Sequence, residues 1–323
     1  MPVAVRRHVG GVAGRIGSPN RLFVATMISV LLTSYNRERY IAESIESVLA
    51  QTLTDFELIV SDDASSDGTV AIANDYARRD SRVRVSVNET NLGDYPNRNR
   101  VASLARGRFL KYHDSDDVMY RHCLAVMVEA LDAEPRAGFA LSGSRDWPGG
   151  RCPMRLTPQL SYEREFLGNG LFQCGPSCAL FRTEVFRRLG GFPDSGVASD
   201  YLFWIQACAT ENVLLVPGDL FYYRIHPNQE YANSDNFVQY AKARAAAWKM
   251  LNSSQCPLDP AVLDRAKSNF LWAATRDAYR QFKRGQFGAA AAIVSFLGLD
   301  LGDWVRYLRL PHRNPNAGTP VES

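Results

Sequence analysis

The chain has 323 residues, of which 46% are hydrophobic and 22% charged, so it is long enough to bury one large core. Its 37 basic and 34 acidic residues are mixed along the sequence and give a net charge of only +3, which argues against nucleic acid as a partner. The longest apolar run, near residue 290, is about half of the ~20 residues that cross a bilayer, so we predict no membrane span.

The six cysteines and the first 26 residues carry no functional signal. The cysteines have no second Cys or His pair at ligand spacing, which predicts reduced thiols in a cytosolic protein and argues against zinc. Residues 1–26 are rich in Gly and Arg and lack both hydrophobic periodicity and the apolar core of a signal peptide, which predicts a disordered extension. Met27 directly precedes the first strand, and translation starts at Met1 and at Met27 are both open.

From residue 27 onward, short apolar strands alternate with amphipathic helices, which predicts an α/β fold with a mostly parallel sheet. The predicted elements are strand 28–35, helix 40–51, strand 55–63, helix 67–79, strand 82–88, a helix ending at 107 and strand 109–113. Asp67 is the predicted cap of the second helix, and Gly107 the predicted left-handed end of the third. Val83, Val85 and Val87 alternate with polar residues, so they should form the buried face of the third strand.

Acidic side chains follow two of the predicted strands. Asp62 and Asp63 end the second strand, and Asp114, Asp116 and Asp117 end the fourth. Ligands of open α/β sheets bind at the carboxyl ends of the strands. Five unneutralised carboxylates at one edge would repel one another, and a divalent cation that also bridges substrate phosphates would relieve that repulsion. The sequence therefore predicts a metal and diphosphate site here, with helix capping and turn formation as the alternative explanation.

Five segments in order carry a resemblance to a known family. They are "SVLLTSYNRERYIAESIESVLAQT", "FELIVSDDASSDGT", "NLGDYPNRNRVASLARGRFLKYHDSDD", "LGGFPDSGVASDYLFW" and "YYRIHPNQ". Together they resemble the inverting glycosyltransferases of family 2, which bind nucleotide sugars with a GT-A fold. The resemblance implies a Rossmann-like, mostly parallel sheet flanked by helices over residues 27–235 and a nucleotide-sugar donor. Residues 236–323 read as a helical C-terminal tail outside the resemblance.

The resemblance also implies which residues hold the nucleotide. Thr33 and Tyr35 match the positions that contact the base, with Tyr35 packing against it. Asp63, together with Asp62, is similar to the carboxylate that accepts a hydrogen bond from the base. Arg98 matches a residue that reaches back to the nucleotide, although "PNRN" departs from the small residue that commonly precedes the arginine.

A metal site is implied by the segment "HDSDD", which resembles the DXD motif of the family. Asp114 and Asp116 are its ends and Asp117 is a third candidate, and Asp116 is also a candidate nucleotide contact. The implied cofactor is a divalent metal, Mn²⁺ or Mg²⁺. His226 resembles a histidine that reaches the metal or the diphosphate in parts of the family, and the alternative is a surface histidine at a strand end.

The resemblance assigns the catalytic base to Asp200 in "VASDYLFW". An acceptor hydroxyl must lose its proton as it attacks the anomeric carbon, and a positioned carboxylate supplies about 10²–10⁴ in rate. A base on one side and a metal-bound diphosphate on the other imply a single displacement with inversion. The alternative for Asp200 is an ordinary helix cap, for which Asp is favoured.

Several readings of the whole protein remain open. The acceptor implied by analogy is a carbohydrate or lipid-linked carbohydrate of surface polysaccharide or glycolipid biosynthesis, with UDP as the default nucleotide and dTDP and GDP as alternatives. A catalytically inactive nucleotide-sugar-binding protein and, less favoured, a sugar-phosphate nucleotidyltransferase are the alternative functions. The interleaved aromatic and basic residues after 300 suit packing on the protein or peripheral contact with the inner face of the membrane.

Overall fold

A computed structural model describes residues 28–142, 152–168, 170–172, 174–226 and 237–309. The predicted disordered extension and the predicted domain boundary at 235 lie outside the described residues. The strands are β1 (Ile28–Ser34), β2 (Phe56–Asp62), β3 (Val83–Val87), β4 (Phe109–Asp114), β5 (Val118–Met119), β6 (Ala137–Ser142), β7 (Met154–Leu156), β8 (Ala179–Arg182), β9 (Asn212–Val216) and β10 (Phe221–Tyr222). The α-helices are α1 (Ile41–Leu49), α2 (Thr69–Arg79), α3 (Asp94–Ser103), α4 (Cys123–Ala133), α5 (Pro158–Leu167), α6 (Thr183–Arg188), α7 (Ser199–Thr210), α8 (Phe237–Leu251), α9 (Pro260–Lys283), α10 (Phe287–Leu297) and α11 (Leu301–Arg309).

The central sheet has the strand order β3-β2-β1-β4-β8-β6-β9-β7. Strands β3, β2, β1 and β4 are parallel, β8 is antiparallel to both β4 and β6, and β9 is parallel to β6. The order changes direction between β1 and β4, which creates the crevice where open α/β sheets bind ligands. The mixed, mostly parallel α/β fold predicted from the sequence is confirmed.

Hydrophobic cores lie on both faces of this sheet, which explains why β1 and β2 are buried along their whole length. Val30 and Leu32 of β1 point towards α1, α2 and α4, whereas Leu31 points towards α3, α5 and α7. On the first face, α1 packs a stripe that includes Ile41 and Ile45, as its spacing predicts. The sheet is therefore a rigid support for the loops at its carboxyl edge.

An aromatic cluster fixes α7 to the second face of the sheet. The rings of Phe181 in β8 and Trp204 in α7 stack with centroids 5.7 Å apart and planes inclined by 7°. Phe139 in β6 also stacks on Trp204, at 5.7 Å. Pairs of this kind contribute about 0.5–1.5 kcal/mol each beyond their buried area. The start of α7, where Asp200 lies, is thus held in a defined position relative to the sheet.

Three local predictions were wrong. Gly107 does not end a helix in the left-handed conformation, because α3 already ends at Ser103 and Gly107 donates its N–H to Ser29 Oγ at the start of β4. Val87 is 44% exposed, because it lies at the end of an edge strand. Asp67 does not hold the N-cap position, which Gly68 occupies, although its carboxylate accepts the N–H of Thr69 at 3.0 Å.

The helical C-terminal region packs into the main core. Ala247 and Leu251 of α8 belong to the same buried cluster as Trp204, and the ring of Phe270 in α9 contacts that of Phe166 at 6.0 Å. Among the residues that the structure describes, no helix is both long and apolar enough to cross a membrane. This region is consequently continuous with the sheet domain through shared buried side chains.

Adjacent glycines before Phe192 provide a test of how the loop leading to α7 is held. Gly190 and Gly191 both have a positive φ, but a Cβ on Gly191 would lie 2.5 Å from Asn99 Oδ1, whereas a Cβ on Gly190 would meet open space. Asn99 Oδ1 accepts the N–H of Phe192 at 2.9 Å. We expect Gly191→Ala to lower the free energy of unfolding by about 1–3 kcal/mol more than Gly190→Ala, because the partly buried hydrogen bond from Phe192 to Asn99 is displaced as well. Urea unfolding measures the difference, and equal losses in the two variants would contradict this account.

Candidate active site

The loop after β1 carries Tyr35 at the carboxyl edge of the sheet, with its ring 47% exposed. The next residue, Asn36, has a left-handed φ of 51° and accepts the N–H of Ser66 at 2.9 Å, which ties this loop to the one after β2. Thr33 is buried at the end of β1 and pairs in register with Asp114 of β4. The loop therefore presents one aromatic ring to solvent from a fixed backbone.

Asp62 and Asp63 are buried and hold the surrounding loops together. Asp62 accepts hydrogen bonds from Ser34 Oγ at 3.0 Å and from the N–H of Ser65 at 2.8 Å. Asp63 accepts the backbone N–H groups of Leu92 and Gly93, both at 2.9 Å. A carboxylate has about four acceptor positions. Because Ser65 Oγ also donates to Asp62 and Asn88 Nδ2 to Asp63, few acceptor positions remain on either carboxylate.

Arg98 on α3 joins two carboxylates at the switch point, the place between β1 and β4 where the strand order changes direction. Its Nη2 lies 2.7 Å from Asp114 Oδ1 and its Nε 2.9 Å from Asp94 Oδ1, while its Nη1 is buried with no hydrogen-bond acceptor among the described residues. Burial works to raise the pKa of Asp114, but the Arg98 guanidinium holds it below its ordinary value. Asp114 also accepts Ser177 Oγ at 2.8 Å. The protein itself therefore neutralises Asp114, contrary to the sequence-based premise that this carboxylate is unneutralised.

Asp116 lies between two side chains that can carry positive charge. Its Oδ2 is 3.1 Å from Arg37 Nε and 3.0 Å from His226 Nε2. The imidazole of His226 is buried and stacks on the ring of Tyr40, with centroids 4.9 Å apart. His226 thus lies against the acidic segment, residues 114–117. The sequence alone had left His226 undecided between this site and the surface.

Asp117 has an unsatisfied carboxylate oxygen that a cation would fit. Its Oδ1 accepts the N–H of Arg224 at 3.0 Å, while Oδ2 is buried with no hydrogen-bond partner among the described residues. Burial raises the pKa of Asp117 to about 8, and the charges of Asp114 and Asp116 act in the same direction. Across the described ranges, no three His, Cys, Asp or Glu side chains are grouped to hold a metal by themselves. A divalent ion here would need additional oxygens, and a substrate diphosphate is the usual source.

The segment around β10 packs against Asp116 and Asp117. Strand β10 pairs with β5 in an antiparallel arrangement directly after Asp117. Arg224 follows β10 and donates from Nε to the carbonyl of Asp116 at 2.8 Å and from Nη2 to Glu43 at 2.6 Å. The residues between β10 and His226 therefore close one side of the carboxyl edge.

Asp200 lies in the first turn of α7, where its Oδ1 accepts the N–H of Tyr201 at 2.6 Å. Burial raises the pKa of Asp200 to about 6, although the hydrogen bond from Tyr201 and the charge of Arg98 act in the opposite direction. Asp94 is also close enough to raise the pKa of Asp200. The structure therefore brings Asp200 to the carboxylates of the switch point, and its pKa suits a base that works near neutral pH.

Sequence reasoning missed four residues of this site. Arg37 and Asp94 lie in two of the five segments that carry the family resemblance, and their charge could have marked them as partners of the acidic residues. Ser177 bonds to Asp114 from 63 residues away and has no local signal. Lys111 is a buried lysine in β4, three residues before Asp114, and its amine donates to the carbonyl of Tyr112 at 2.9 Å.

Comparison with known proteins matches half of this chain to one family. The family model for glycosyl transferase family 2 matches residues 29–190, half of the chain. The chain therefore belongs to glycosyl transferase family 2. The fold class and the family resemblance predicted from the sequence are both confirmed.

Two bacterial relatives and a solved structure illustrate the relationship. The chain is 41% identical over 214 residues to the uncharacterized glycosyltransferase EpsJ of Bacillus subtilis, covering 62% of each protein. It is 29% identical over 255 residues to the poly(ribitol-phosphate) β-N-acetylglucosaminyltransferase TarS of Staphylococcus aureus, covering 75% of this chain and 43% of TarS. The structure of TarS residues 1–349 with UDP-GlcNAc superimposes with a TM-score of 0.60 at 25% identity, covering 87% of this chain and 79% of that one. The chain thus spans less than two thirds of the full length of both relatives.

Proposed function

We propose that the chain transfers a sugar from a nucleoside diphosphate sugar, UDP being the first choice, to an acceptor hydroxyl with inversion. The observation that supports this most is the position of Asp200 in the first turn of α7, where its carboxylate lies within the electrostatic influence of Arg98, which is itself bonded to Asp114. In this proposal Asp200 acts as a base beside the edge where open α/β sheets bind their ligands. The structure of TarS with UDP-GlcNAc supports UDP as the nucleotide.

In this proposal Asp200 removes the proton of the acceptor hydroxyl. The hydroxyl oxygen attacks the anomeric carbon, the bond from that carbon to the diphosphate oxygen breaks, and the nucleoside diphosphate leaves on the opposite side. One displacement inverts the anomeric configuration. A second carboxylate that forms a covalent intermediate, as in retaining glycosidases, is not needed.

The proposed nucleotide contacts are those that the sequence assigns, and Arg98 additionally holds Asp114. Tyr35 offers an exposed ring for the base to pack against, next to the buried Thr33. The nucleobase hydrogen-bonds to the acceptor positions that remain on Asp63 and Asp62, beside the loops that these two residues hold in place. Arg98 faces the donor through Nη1, which has no acceptor among the described residues. Its Nη2 bonds to Asp114, and the charge of the guanidinium holds the pKa of that carboxyl below its ordinary value.

The residues at the acidic segment fit a divalent metal, Mn²⁺ or Mg²⁺. Asp116 and the unsatisfied Oδ2 of Asp117 would hold it, with His226 alongside, whereas Asp114 is assigned to Arg98 and Ser177. When bound, such an ion acts as a Lewis acid on the leaving diphosphate. Arg37 balances the charge of Asp116 from the β1 side of the crevice.

The acceptor in this proposal is a carbohydrate or lipid-linked carbohydrate of surface polysaccharide or glycolipid biosynthesis. TarS, as its name states, acts on poly(ribitol-phosphate), a polymer with free hydroxyls, and this supports an acceptor of that class. Peripheral membrane contact through the C-terminal region stays a prediction, since the side chains of Trp304 and Leu308 lie outside the described side chains.

Donor hydrolysis tests the proposal without knowledge of the acceptor. We would incubate the chain with a panel of UDP-, dTDP- and GDP-sugars, with Mn²⁺ and with a chelator, and measure release of the nucleotide. Metal-dependent release from one donor is the expected result. If no donor is hydrolysed and calorimetry finds no nucleotide binding, the proposal is wrong. Binding without hydrolysis in the presence of candidate acceptors would support the inactive sugar-nucleotide-binding alternative.

The pKa of Asp200 gives a pH prediction. The base works only when deprotonated, and its pKa is raised to about 6. We therefore expect kcat/KM to rise with pH, to reach half of its plateau near pH 6 and to level off roughly one pH unit higher, measured at saturating Mn²⁺ so that Asp117 stays ionised. Asp200→Asn should lack this dependence in its residual activity. A rising limb centred near pH 4, typical of an unperturbed carboxyl, would contradict the assigned environment.

A further inference from the structure

The loop that precedes Asp200 is held from two sides. A short 3-10 turn, Gly196–Ala198, runs directly into α7. On the inner side, Ser199 Oγ accepts the N–H of Ser195 at 2.9 Å and donates to the carbonyl of Gly196 at 2.7 Å. On the outer side, Gln239 Oε1 of α8 accepts the N–H of Val197 at 2.7 Å. One of these contacts therefore comes from the C-terminal helical region, outside the segment that matches the family model.

The contact between this loop and Gln239 is closely fitted. Gly196 has a φ of 70°, and a Cβ at that position would lie 1.8 Å from Gln239 Oε1. A side chain at position 196 would displace the amide of Gln239, and the positive φ itself favours glycine. The fit indicates that the approach of Gln239 to the turn is a built feature of the fold.

An open pocket of about 480 Å³ lies beside this contact, lined by Asp194, Ser195 and Leu202 on one side and by Lys242, Ala243 and Ala246 on the other. Helix α8 itself is anchored, because Ala243, Ala247 and Leu251 are buried. The anchored helix α8 therefore packs directly against the 3-10 turn and α7, and the hydrogen bond from Val197 to Gln239 is part of that contact.

We propose that Gln239 is a positioning residue for Asp200 and that α8 is thereby part of the catalytic architecture. Val197 lies three residues before Asp200, so a shift of the turn is transmitted to the first turn of α7. Small displacements of a catalytic group reduce the rate strongly, by about 10²-fold for 1 Å. This inference rests on the proposed function, in which Asp200 is the base.

The test compares Gln239→Leu, which removes the acceptor, with Gln239→Glu, which retains one. Lys242→Ala, one turn further along α8 and lining the same cavity, is the matched control. We expect Gln239→Leu to lower kcat by roughly tenfold with unchanged affinity for UDP, and Gln239→Glu and Lys242→Ala to stay within about twofold of the parent. Gln239→Asn, whose shorter side chain cannot reach Val197, provides a second variant should Gln239→Leu fold poorly.

A double-mutant cycle decides whether Gln239 acts through Asp200. In the Asp200→Asn background, Gln239→Leu should cause no further loss, because the group that it positions is already disabled. The same tenfold loss in that background, or a normal kcat for Gln239→Leu alone, would overturn the inference and leave the proposed function intact. Full activity of Asp200→Asn by itself would overturn both together.

Discussion

Asp200→Asn is expected to reduce the rate of sugar transfer by about 10²–10⁴-fold without changing the affinity for the nucleotide. The amide keeps the shape of the side chain but cannot accept a proton. The hydrogen bond from the N–H of Tyr201 to Oδ1 can be retained, so the start of α7 should keep its structure. Steady-state kinetics gives kcat, and calorimetric titration with UDP gives the affinity.

Asp194→Asn is the matched control, because Asp194 is an exposed acid on the same loop. It should behave like the parent chain in both measurements. A loss of UDP binding in Asp200→Asn would indicate that Asp200 belongs to the nucleotide site, and full activity would show that another group is the base.

Asp116→Ala is expected to abolish stimulation by Mn²⁺ and to lower the rate by roughly 10²-fold or more. The variant removes an oxygen of the proposed metal site and leaves Arg37 and His226 without their shared partner. Nucleotide release measured across a range of Mn²⁺ concentrations shows the effect directly. The affinity for UDP should fall at the same time, because the diphosphate loses a bridging contact.

Asp132→Ala provides the control for that variant, since it removes an acid from an exposed ion pair with Arg108. It should leave both the rate and the Mn²⁺ dependence unchanged. Thermal unfolding of both variants separates a local effect from loss of the fold. An Asp116→Ala chain that folds and still responds to Mn²⁺ like the parent would rule out this residue as a metal ligand.

The position of the site could be predicted from the sequence because it follows from strand boundaries. Apolar runs define where β1, β2 and β4 end, and parallel strands end at the same edge of a sheet. In the structure Thr33 pairs with Asp114 and Ser34 with Asp62, so the polar residues do gather at one edge. The family resemblance gave the proposed roles, which geometry alone would not assign.

The charge balance of the site could not be predicted in the same way. Asp114 is neutralised by Arg98, 16 residues away, and Asp116 by Arg37, 79 residues away. These partners meet only when α3 and the loop after β1 are packed on the sheet. Counting acids along the sequence therefore overstated the repulsion that a metal must relieve.

Contacts between distant segments were equally invisible. Ser177 reaches Asp114 across 63 residues, and Gln239 reaches Val197 across 42. Neither side chain belongs to a recognisable motif, and helical periodicity says nothing about what α8 touches. The predicted helices of the C-terminal region are present, but their contact with the loop before Asp200 required the three-dimensional structure.

A crystal structure of the chain with UDP-GlcNAc and Mn²⁺ would test the central claim most directly. We expect the nucleobase to lie against Tyr35 and the metal ion to lie between the diphosphate and the Asp116–Asp117 segment. Asp200 should lie on the side of the anomeric carbon away from the diphosphate. A nucleotide bound elsewhere, or Asp200 on the same side as the diphosphate, would contradict inverting transfer at this site.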